Sequence, residues 1–506
     1  MNINFKEDNS MRTKQEKIER RFQIWKQKLD SLLKQKQWDA SLALLSAIAE
    51  GEYVYNQFYR DDELEERLLF LARTFRQRHQ EAVTPSSVSK ADVLFYDAFG
   101  EDLRGLAYIY LEALCKAGYR VVYLVPKSRR GHISQIGRML KNAGCIVEWY
   151  EDEYTEKAFH ALLDICLRWQ PKTSFLYTKP WDAVGLAVFE CLSGRTARYL
   201  INLTDHAFWL GVHALGYCLE FRDYGASISR KYRKLMPEQL LMQPYYPVIN
   251  YETEFQGFPF PKWEGDFVLF SGGSIYKTLD KAGTFYQIVD QCLAKYPFVR
   301  FWYAGGGESP EMQRLVQKYP KRAVWTAERS DLFQLLQHVD LYLNTYPISG
   351  GLMLQYAALA GKIPLTLLHD EEAKGMLLHE EGLEIYFSDR DSFEHELYHL
   401  IEDRPYRARR ETDLQKHVLH PVQFRENLCR IIESQESGYD ISFYDVDTGS
   451  FRRSYLEQFN GRKELPRLLA MKSRMELAKV FPMLFLQGAL KKLRQKIKKS
   501  WRKAGK

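Results

Sequence analysis

Three glycine-bearing segments and one histidine carry the residue types that could do chemistry. In FSGGSIYK, Ser271, Gly272, Gly273 and Ser274 follow an apolar run, and Lys277 comes four residues after Gly273. Glycines placed directly after a strand let backbone N–H groups approach a phosphate, and a lysine adds a point charge. An ordinary tight turn would use the same residues. The spacing is neither a Walker loop nor a GxGxxG dinucleotide turn. In YAGGGES, Gly305, Gly306 and Gly307 precede Glu308; a plain turn fits this segment slightly better than a ligand loop does. In DLYLNTYPISGGLMLQYAALAGKIPLTLL, residues 340–368, a strand pattern ends at Asn344 to Pro347. A loop then carries Ser349, Gly350 and Gly351, and a helix pattern runs to Gly361. Gly350 and Gly351 thus fall at a helix N-terminus, where unpaired N–H groups and the helix dipole favour a diphosphate.

The histidine lies in INLTDHAFWLG, residues 201–211. His206 follows Asp205 at the end of a strand pattern. Imidazole titrates near working pH, so His206 could accept a proton or hydrogen-bond a reacting group, with Asp205 orienting it. A structural histidine with Asp205 as a helix N-cap fits the same letters. Phe208 and Trp209 read as packing residues. Downstream, Arg222, Arg230, Lys231 and Arg233 read as a solvated basic helix face that could also meet an anionic acceptor.

These segments need elements to position them. Residues 12–80 carry helical patterns: Ile18, Phe22, Trp25, Leu29 and Leu32, then Trp38 to Tyr55, then Leu64 to Phe75. A turn-like stretch, VTPSSVS, closes the region. From Asp92 the pattern alternates apolar strands with helices of ten to eighteen residues, which predicts a parallel sheet covered on both faces. Residues 235–265 interrupt this with five prolines and many aromatics. The alternation then restarts at FVLFSGG. The expected organisation is a helical region over 1–90, a Rossmann-like domain over 91–235, a linker over 236–265, and a second Rossmann-like domain over 266–400. A C-terminal helical region over 401–485 and a basic amphipathic tail over 486–506 follow. Ligands of such sheets bind outside the carboxyl ends of the strands.

A length of 506 residues, 45% hydrophobic, suits two or three domains. Seven scattered cysteines without a CxxC pair suggest neither a disulfide framework nor a zinc site, and a reducing cytoplasm fits. The N-terminal stretch is polar and lacks the apolar core of a signal peptide, and no run is long enough to span a membrane. Nine Lys/Arg fall in residues 491–506; setting them aside takes the net charge from +7 to −2, so a nucleic-acid partner is not expected. In this tail Leu486, Leu490, Leu493, Ile497 and Trp501 recur every three or four residues amid Lys and Arg. That pattern predicts a helix lying on an anionic membrane surface, with a solvated or partner-packed helix as the alternative.

The segment 340–368, with the lysine-bearing turn Ser274 to Lys277, resembles the donor site of GT-B glycosyltransferases, above all those similar to O-GlcNAc transferase and its bacterial relatives. The NxxDHxFWLG pattern is similar to one in bacterial glycosyltransferases of surface-polysaccharide loci. Residues 97–124 resemble the first strand–loop–helix of the same enzymes. The resemblance implies an α/β GT-B fold, two doubly wound Rossmann-like domains facing a cleft. It implies a nucleotide-sugar co-substrate, a UDP-sugar foremost, with no resident cofactor and no metal. The donor would meet Gly272, Gly273, Ser274, Lys277, Gly305, Glu308, Ser349, Gly350, Gly351 and Tyr356. The acceptor side would include Gly100 and Asp102, with His206 and Asp205 catalytic. The usual Thr pair is Leu352 and Met353 here, and Tyr356 takes the place of the acid that would hold the ribose. Asp445-Val446-Asp447 matches the DxD of GT-A enzymes, yet it lies beyond both Rossmann-like stretches and reads as a loop. The expected function is sugar transfer to a glycan acceptor, lipid-linked, for a surface polysaccharide. The expected place is the cytoplasm, peripheral at the inner membrane face. A protein O-glycosyltransferase and a non-catalytic scaffold of the same fold are the alternatives.

Overall fold

The computed structural model describes residues 2–79, 90–102, 105–249, 253–459 and 461–504. The VTPSSVS stretch lies outside the described residues, and so does the side chain of Trp501. The chain divides into two compact units, residues 1–243 with 425–506, and residues 244–424.

The first unit is built on a seven-stranded parallel sheet in the order β3-β2-β1-β4-β5-β6-β7. Its strands are β1 (Val93–Asp97), β2 (Val121–Pro126), β3 (Ile146–Tyr150), β4 (Thr173–Tyr177), β5 (Ala197–Ile201), β6 (Tyr217–Glu220) and β7 (Leu240–Met242). Strands β1, β2 and β4 are buried along their whole length, as a sheet covered on both faces requires. The crossover helices are α4 (Ala107–Lys116), α5 (Ser134–Asn142), α6 (Glu156–Trp169), α7 (Ala183–Cys191) and α8 (Asp223–Lys231). Thr155 caps α6 by accepting from the Ala158 N–H, and Asp182 caps α7 through Gly185.

Three N-terminal helices join this unit: α1 (Asn2–Lys34), α2 (Trp38–Tyr55) and α3 (Asp62–Arg78). They share one apolar core with the sheet's helices, in which Phe22, Trp25, Leu45, Leu71 and Phe75 are packed with Leu163 and Leu186. The helical region expected over 1–90 is therefore a layer of the first unit.

The second unit holds a six-stranded parallel sheet, β10-β9-β8-β11-β12-β13. Its strands are β8 (Phe267–Gly272), β9 (Val299–Ala304), β10 (Ala323–Thr326), β11 (Leu341–Leu343), β12 (Pro364–Leu367) and β13 (Tyr386–Phe387). The helices are α9 (Thr284–Lys295), α10 (Pro310–Lys318), α11 (Leu332–His338), α12 (Gly351–Leu359), α13 (Arg390–Glu402) and α14 (Arg404–Leu414). In chain order the second sheet runs 3-2-1-4-5-6, the doubly wound Rossmann order, and the first runs the same way with a seventh strand at its edge. The expected fold class, two doubly wound α/β domains, is what the chain forms.

Helix α15 (Pro421–Ser434) carries the chain from the second unit back to the first at residue 425. Helices α16 (Gly449–Gln458), α17 (Gly461–Leu469), α18 (Leu477–Val480) and α19 (Pro482–Ala504) then complete the first unit. Buried Arg474 ties this end to α2, donating to the Ser46 hydroxyl (2.8 Å) and carbonyl (3.2 Å).

The helical region expected over 401–485 is divided, its residues to 424 belonging to the second unit and the rest to the first; two strand assignments also change. Residues 240–242, placed in the linker, form β7 beside β6. The apolar triplet Leu240-Leu241-Met242 was masked by the prolines around it. The YCLE segment, assigned to no element, is β6, whose buried Glu220 hides a strand among polar letters.

Candidate functional site

Each unit carries one group of candidate residues.

In the second unit the chain leaves β8 at Gly272 and makes a short turn, Ile275–Thr278, that carries Lys277. The Lys277 Nζ donates to the Ser349 carbonyl (3.3 Å), and the Lys277 carbonyl accepts from the Ile348 N–H (3.3 Å). Two loops 72 residues apart in sequence are thereby held together. Burial lowers the Lys277 pKa, while the negative charge of Glu372 acts to raise it. Asn344, just past β11, builds the second loop. Its Oδ1 accepts from the N–H groups of Thr345 (2.9 Å) and Gly350 (2.9 Å), and its Nδ2 donates to the Thr366 hydroxyl (3.1 Å). Gly350 is thus fixed as the N-cap of α12, and no side chain caps that helix start. The first N–H groups of α12, beginning at Gly351, have no partner within the helix. An ammonium and an uncapped helix start side by side form an anion-binding arrangement.

The structure brings Lys277, Ser349, Gly350 and Gly351 together. Ser274 is exposed in the same turn as Lys277. The glycines of the other loops serve packing. The Gly273 N–H donates to the Ala304 carbonyl (3.0 Å) and the Gly305 N–H to the Thr326 carbonyl (3.0 Å). A Cβ on Gly305 would stand 1.8 Å from the Gly273 carbonyl oxygen, so only glycine allows the two loops to touch. Gly272 ends β8, and Glu308 is exposed in the loop after β9, next to Ser309, which caps α10. Tyr356 points its hydroxyl to the Val248 carbonyl. Beside it, buried Gln355 donates to the Tyr245 (3.1 Å) and Met376 (3.0 Å) carbonyls, while its Oε1 lacks a partner.

In the first unit, Asp205 and His206 lie in the turn after β5. Asp205 is fully buried. It accepts from Arg222 Nε (2.6 Å) and Nη2 (3.0 Å), and its Oδ1 is 3.3 Å from His206 Nδ1. Burial would raise the Asp205 carboxyl, but the Arg222 charge, with hydrogen bonds from His206 and Arg222, holds it well below the usual carboxylate range. His206 keeps 27% of its side chain exposed. Asp205 therefore positions His206, and the imidazole is the half of the pair that solvent reaches.

Beneath this turn is a buried polar cluster. Asn202 Nδ2 donates to both Glu220 carboxylate oxygens (2.9 Å each). Arg233 Nη2 donates to the carbonyls of Asp205 (2.8 Å) and Ala207 (2.6 Å). Burial raises the Glu220 carboxyl, and burial lowers the Arg233 guanidinium. Arg222 and Arg233, read as a solvated basic face, are in fact buried and spent on holding this turn.

The N-terminal helices also hold the turn. Asn56, at the end of α2, donates to the His206 carbonyl (3.2 Å) and accepts from the Phe208 N–H (3.1 Å). Glu65 of α3 accepts from the Gly211 N–H (2.7 Å). The Phe451 ring of α16 meets the imidazole edge-on at 6.0 Å between centroids. Asn56, Glu65 and Phe451 lie far from His206 in sequence, and no local pattern pointed to them.

Gly100 adopts φ +61°, and a Cβ there would lie 2.7 Å from Arg129 Cβ and 2.8 Å from Val125 Cγ2. Its N–H donates to buried Asp97 (3.0 Å). Asp102 caps α5: its carboxylate accepts from the N–H groups of Gln135 and Ile136 and from the Ser134 hydroxyl. Within the DxD, Asp445 pairs with Lys231, and Asp447 accepts from the Gly449 N–H (2.8 Å). Among the described residues no group of three or more His, Cys, Asp or Glu is placed to hold a metal ion.

No family model matches the chain, and no curated protein matches it by sequence. Solved structures do. Anabaena Alr3699/HepE in complex with UDP and glucose aligns with a TM-score of 0.47 at 12% identity, over 68% of this chain and 100% of that chain. A mutant O-GlcNAc transferase of Thermobaculum terrenum aligns at 0.46 and 15% identity, over 82% and 77%. WaaG, a glycosyltransferase involved in lipopolysaccharide biosynthesis, aligns at 0.39 and 13% identity, over 68% and 100%.

Proposed function

We propose that this chain is a glycosyltransferase that uses a nucleotide-sugar donor, a UDP-sugar foremost. The observation that carries the reading is the pairing of Lys277 with the uncapped start of α12. A lysine and a helix dipole supply positive charge where a nucleoside diphosphate leaves, so the residues themselves can stabilise the leaving group. His206 is the acceptor-side group: partly exposed, held by Asp205, and able to take or share a proton of an incoming hydroxyl.

The acceptor is a glycan, lipid-linked, and the product belongs to a surface polysaccharide. The support is α19. Its Leu484 and Phe485 face the core, and Lys492 donates to the Ala470 carbonyl (3.0 Å), so one side is docked. Leu486, Leu490, Leu493 and Ile497 are 46–54% exposed amid lysines and arginines. An apolar stripe edged by cations suits an anionic lipid surface. No helix among the described residues is long and apolar enough to cross a membrane.

Calorimetry with UDP, GDP, CDP and TDP tests the donor assignment. Selective binding by the wild type, weakened in Lys277→Ala, supports it. The Tyr356 hydroxyl, turned to Val248, favours a second reading, a non-catalytic protein of the same fold. Failure of all four nucleotides to bind folded protein, with and without divalent metal, would establish that second reading.

A further inference from the structure

Seven cysteines are spread along the chain, and two that are 30 residues apart meet. Cys115 Sγ in the last turn of α4 lies 3.8 Å from Cys145 Sγ, between α5 and β3. Both residues are only partly buried, whereas Cys166, Cys218 and Cys292 are buried. A disulfide needs its sulfurs about 2.05 Å apart. The present separation exceeds this by about 1.8 Å.

The two thiols are not equivalent. The Cys115 S–H hydrogen bond brings the Cys145 thiol down to about 6, against burial and with help from the Val121 N–H. Cys115 is pushed up, by the same hydrogen bond first, then by burial and by the neighbouring negative charges of Cys145 and Glu112. Burial pushes Cys166 and Cys292 up to about 12, which disfavours their thiolates.

We propose that Cys115 and Cys145 form an oxidation site that hydroperoxides convert to an intramolecular disulfide. In the first step the thiolate of one of the pair attacks a peroxide oxygen and the O–O bond breaks. Hydroxide leaves and is protonated to water, and that cysteine becomes a sulfenic acid. In the second step the sulfur of the other cysteine attacks the sulfenic sulfur. The S–S bond forms, the S–OH bond breaks, and the hydroxide leaves as water with the proton shed by the attacking thiol. Two thiols lose two electrons, and hydrogen peroxide takes them to become two waters.

The bond would join two helices at their far ends that are already joined at their near ends. Helix α4 follows the Gly100 loop, and Asp102 of that loop caps the start of α5. Oxidation would fasten α4 to the α5–β3 turn and leave the Asp102 cap untouched.

The test uses the full chain, reduced, freed of reductant and titrated with hydrogen peroxide. Intact mass and peptide mapping are read without reduction. The expected result is a mass lower by two hydrogens, a linked peptide pair holding Cys115 and Cys145, and reversal by dithiothreitol. In Cys115→Ser and in Cys145→Ser the linked pair should be absent, and dimedone should trap a sulfenic acid on the cysteine of the pair that remains. Circular dichroism checks that both variants are folded. Wild-type protein that yields no linked pair, or that oxidises first at other cysteines, would overturn the proposal whatever the variants do.

Discussion

Arg222 grips Asp205 through two nitrogens, Nε at 2.6 Å and Nη2 at 3.0 Å, and the oxygen met by Nη2 is also the one 3.3 Å from His206 Nδ1. The pair is buried, so removing one partner strands the other charge. Asp205→Asn should cost about 3–5 kcal/mol in urea unfolding. Arg222→Lys keeps the charge but not the fork and should fall between that variant and the wild type. His206→Ala should leave stability nearly unchanged and abolish most sugar transfer. An unfolding cost for His206→Ala equal to that of Asp205→Asn would make the histidine structural.

Lys277→Ala should weaken nucleoside diphosphate binding. A hydrogen bond to a charged group contributes about 1.5–3 kcal/mol, which is roughly a 10- to 150-fold change in Kd. Unchanged Kd by calorimetry would remove Lys277 from the site.

Glu65 makes a pH-dependent contribution. Burial raises its carboxyl from 4.5 to about 7, against the Gly211 and Val212 N–H groups. Below pH 4.5 both folded and unfolded chains keep the proton. Above it the unfolded chain loses its proton first, so native stability falls until about pH 7 and then levels off. The loss is on the order of 3 kcal/mol. Glu65→Gln keeps an acceptor for the Gly211 N–H and should flatten this part of the profile. Urea midpoints measured from pH 4 to 8 would read the difference, which should vanish below pH 4.5.

Gly305→Ala should destabilise the second unit by about 3 kcal/mol, because its Cβ would meet a backbone oxygen that has little room to move. Thermal unfolding with a reporter on Trp302, in the adjacent strand, would register it. A cost near zero would mean the two glycine loops can separate freely.

Changing Leu486, Leu490 and Leu493 together to serine should abolish binding to phosphatidylserine vesicles while leaving nucleotide binding intact, since these side chains are exposed rather than core. Wild-type binding should also fall steeply with salt. Equal flotation of the variant with anionic vesicles would assign the attraction to the lysines alone.

Much of the fold was legible because its signals are local. Short apolar runs such as VLFYD and VVYLVP, bounded by turn residues, suit strands covered on both faces, and the glycines after helices mark their ends. Of the site, the Lys277 turn and the Ser349–Gly351 loop were readable, since a strand–glycine–helix junction is a short-range pattern. What was hidden was long-range. Nothing in the letters around Arg222 or Arg233 says buried; a solvated face was the natural reading until Asp205, Glu220 and the turn carbonyls enclosed them. Asp102 shows the same limit: its helix cap lies 33 residues away.

By itself the sequence determined the two alternating α/β stretches, the prolines between them and the basic amphipathic end, because backbone geometry and periodicity reward those patterns within a few residues. Only the tertiary structure decided that the N-terminal helices belong to the first unit and pin the His206 turn, and that Cys115 meets Cys145. Only there does Lys277 reach the start of α12. Each of those outcomes depends on which distant groups share a low-dielectric interior, where an unpaired charge or amide costs too much to leave unmet.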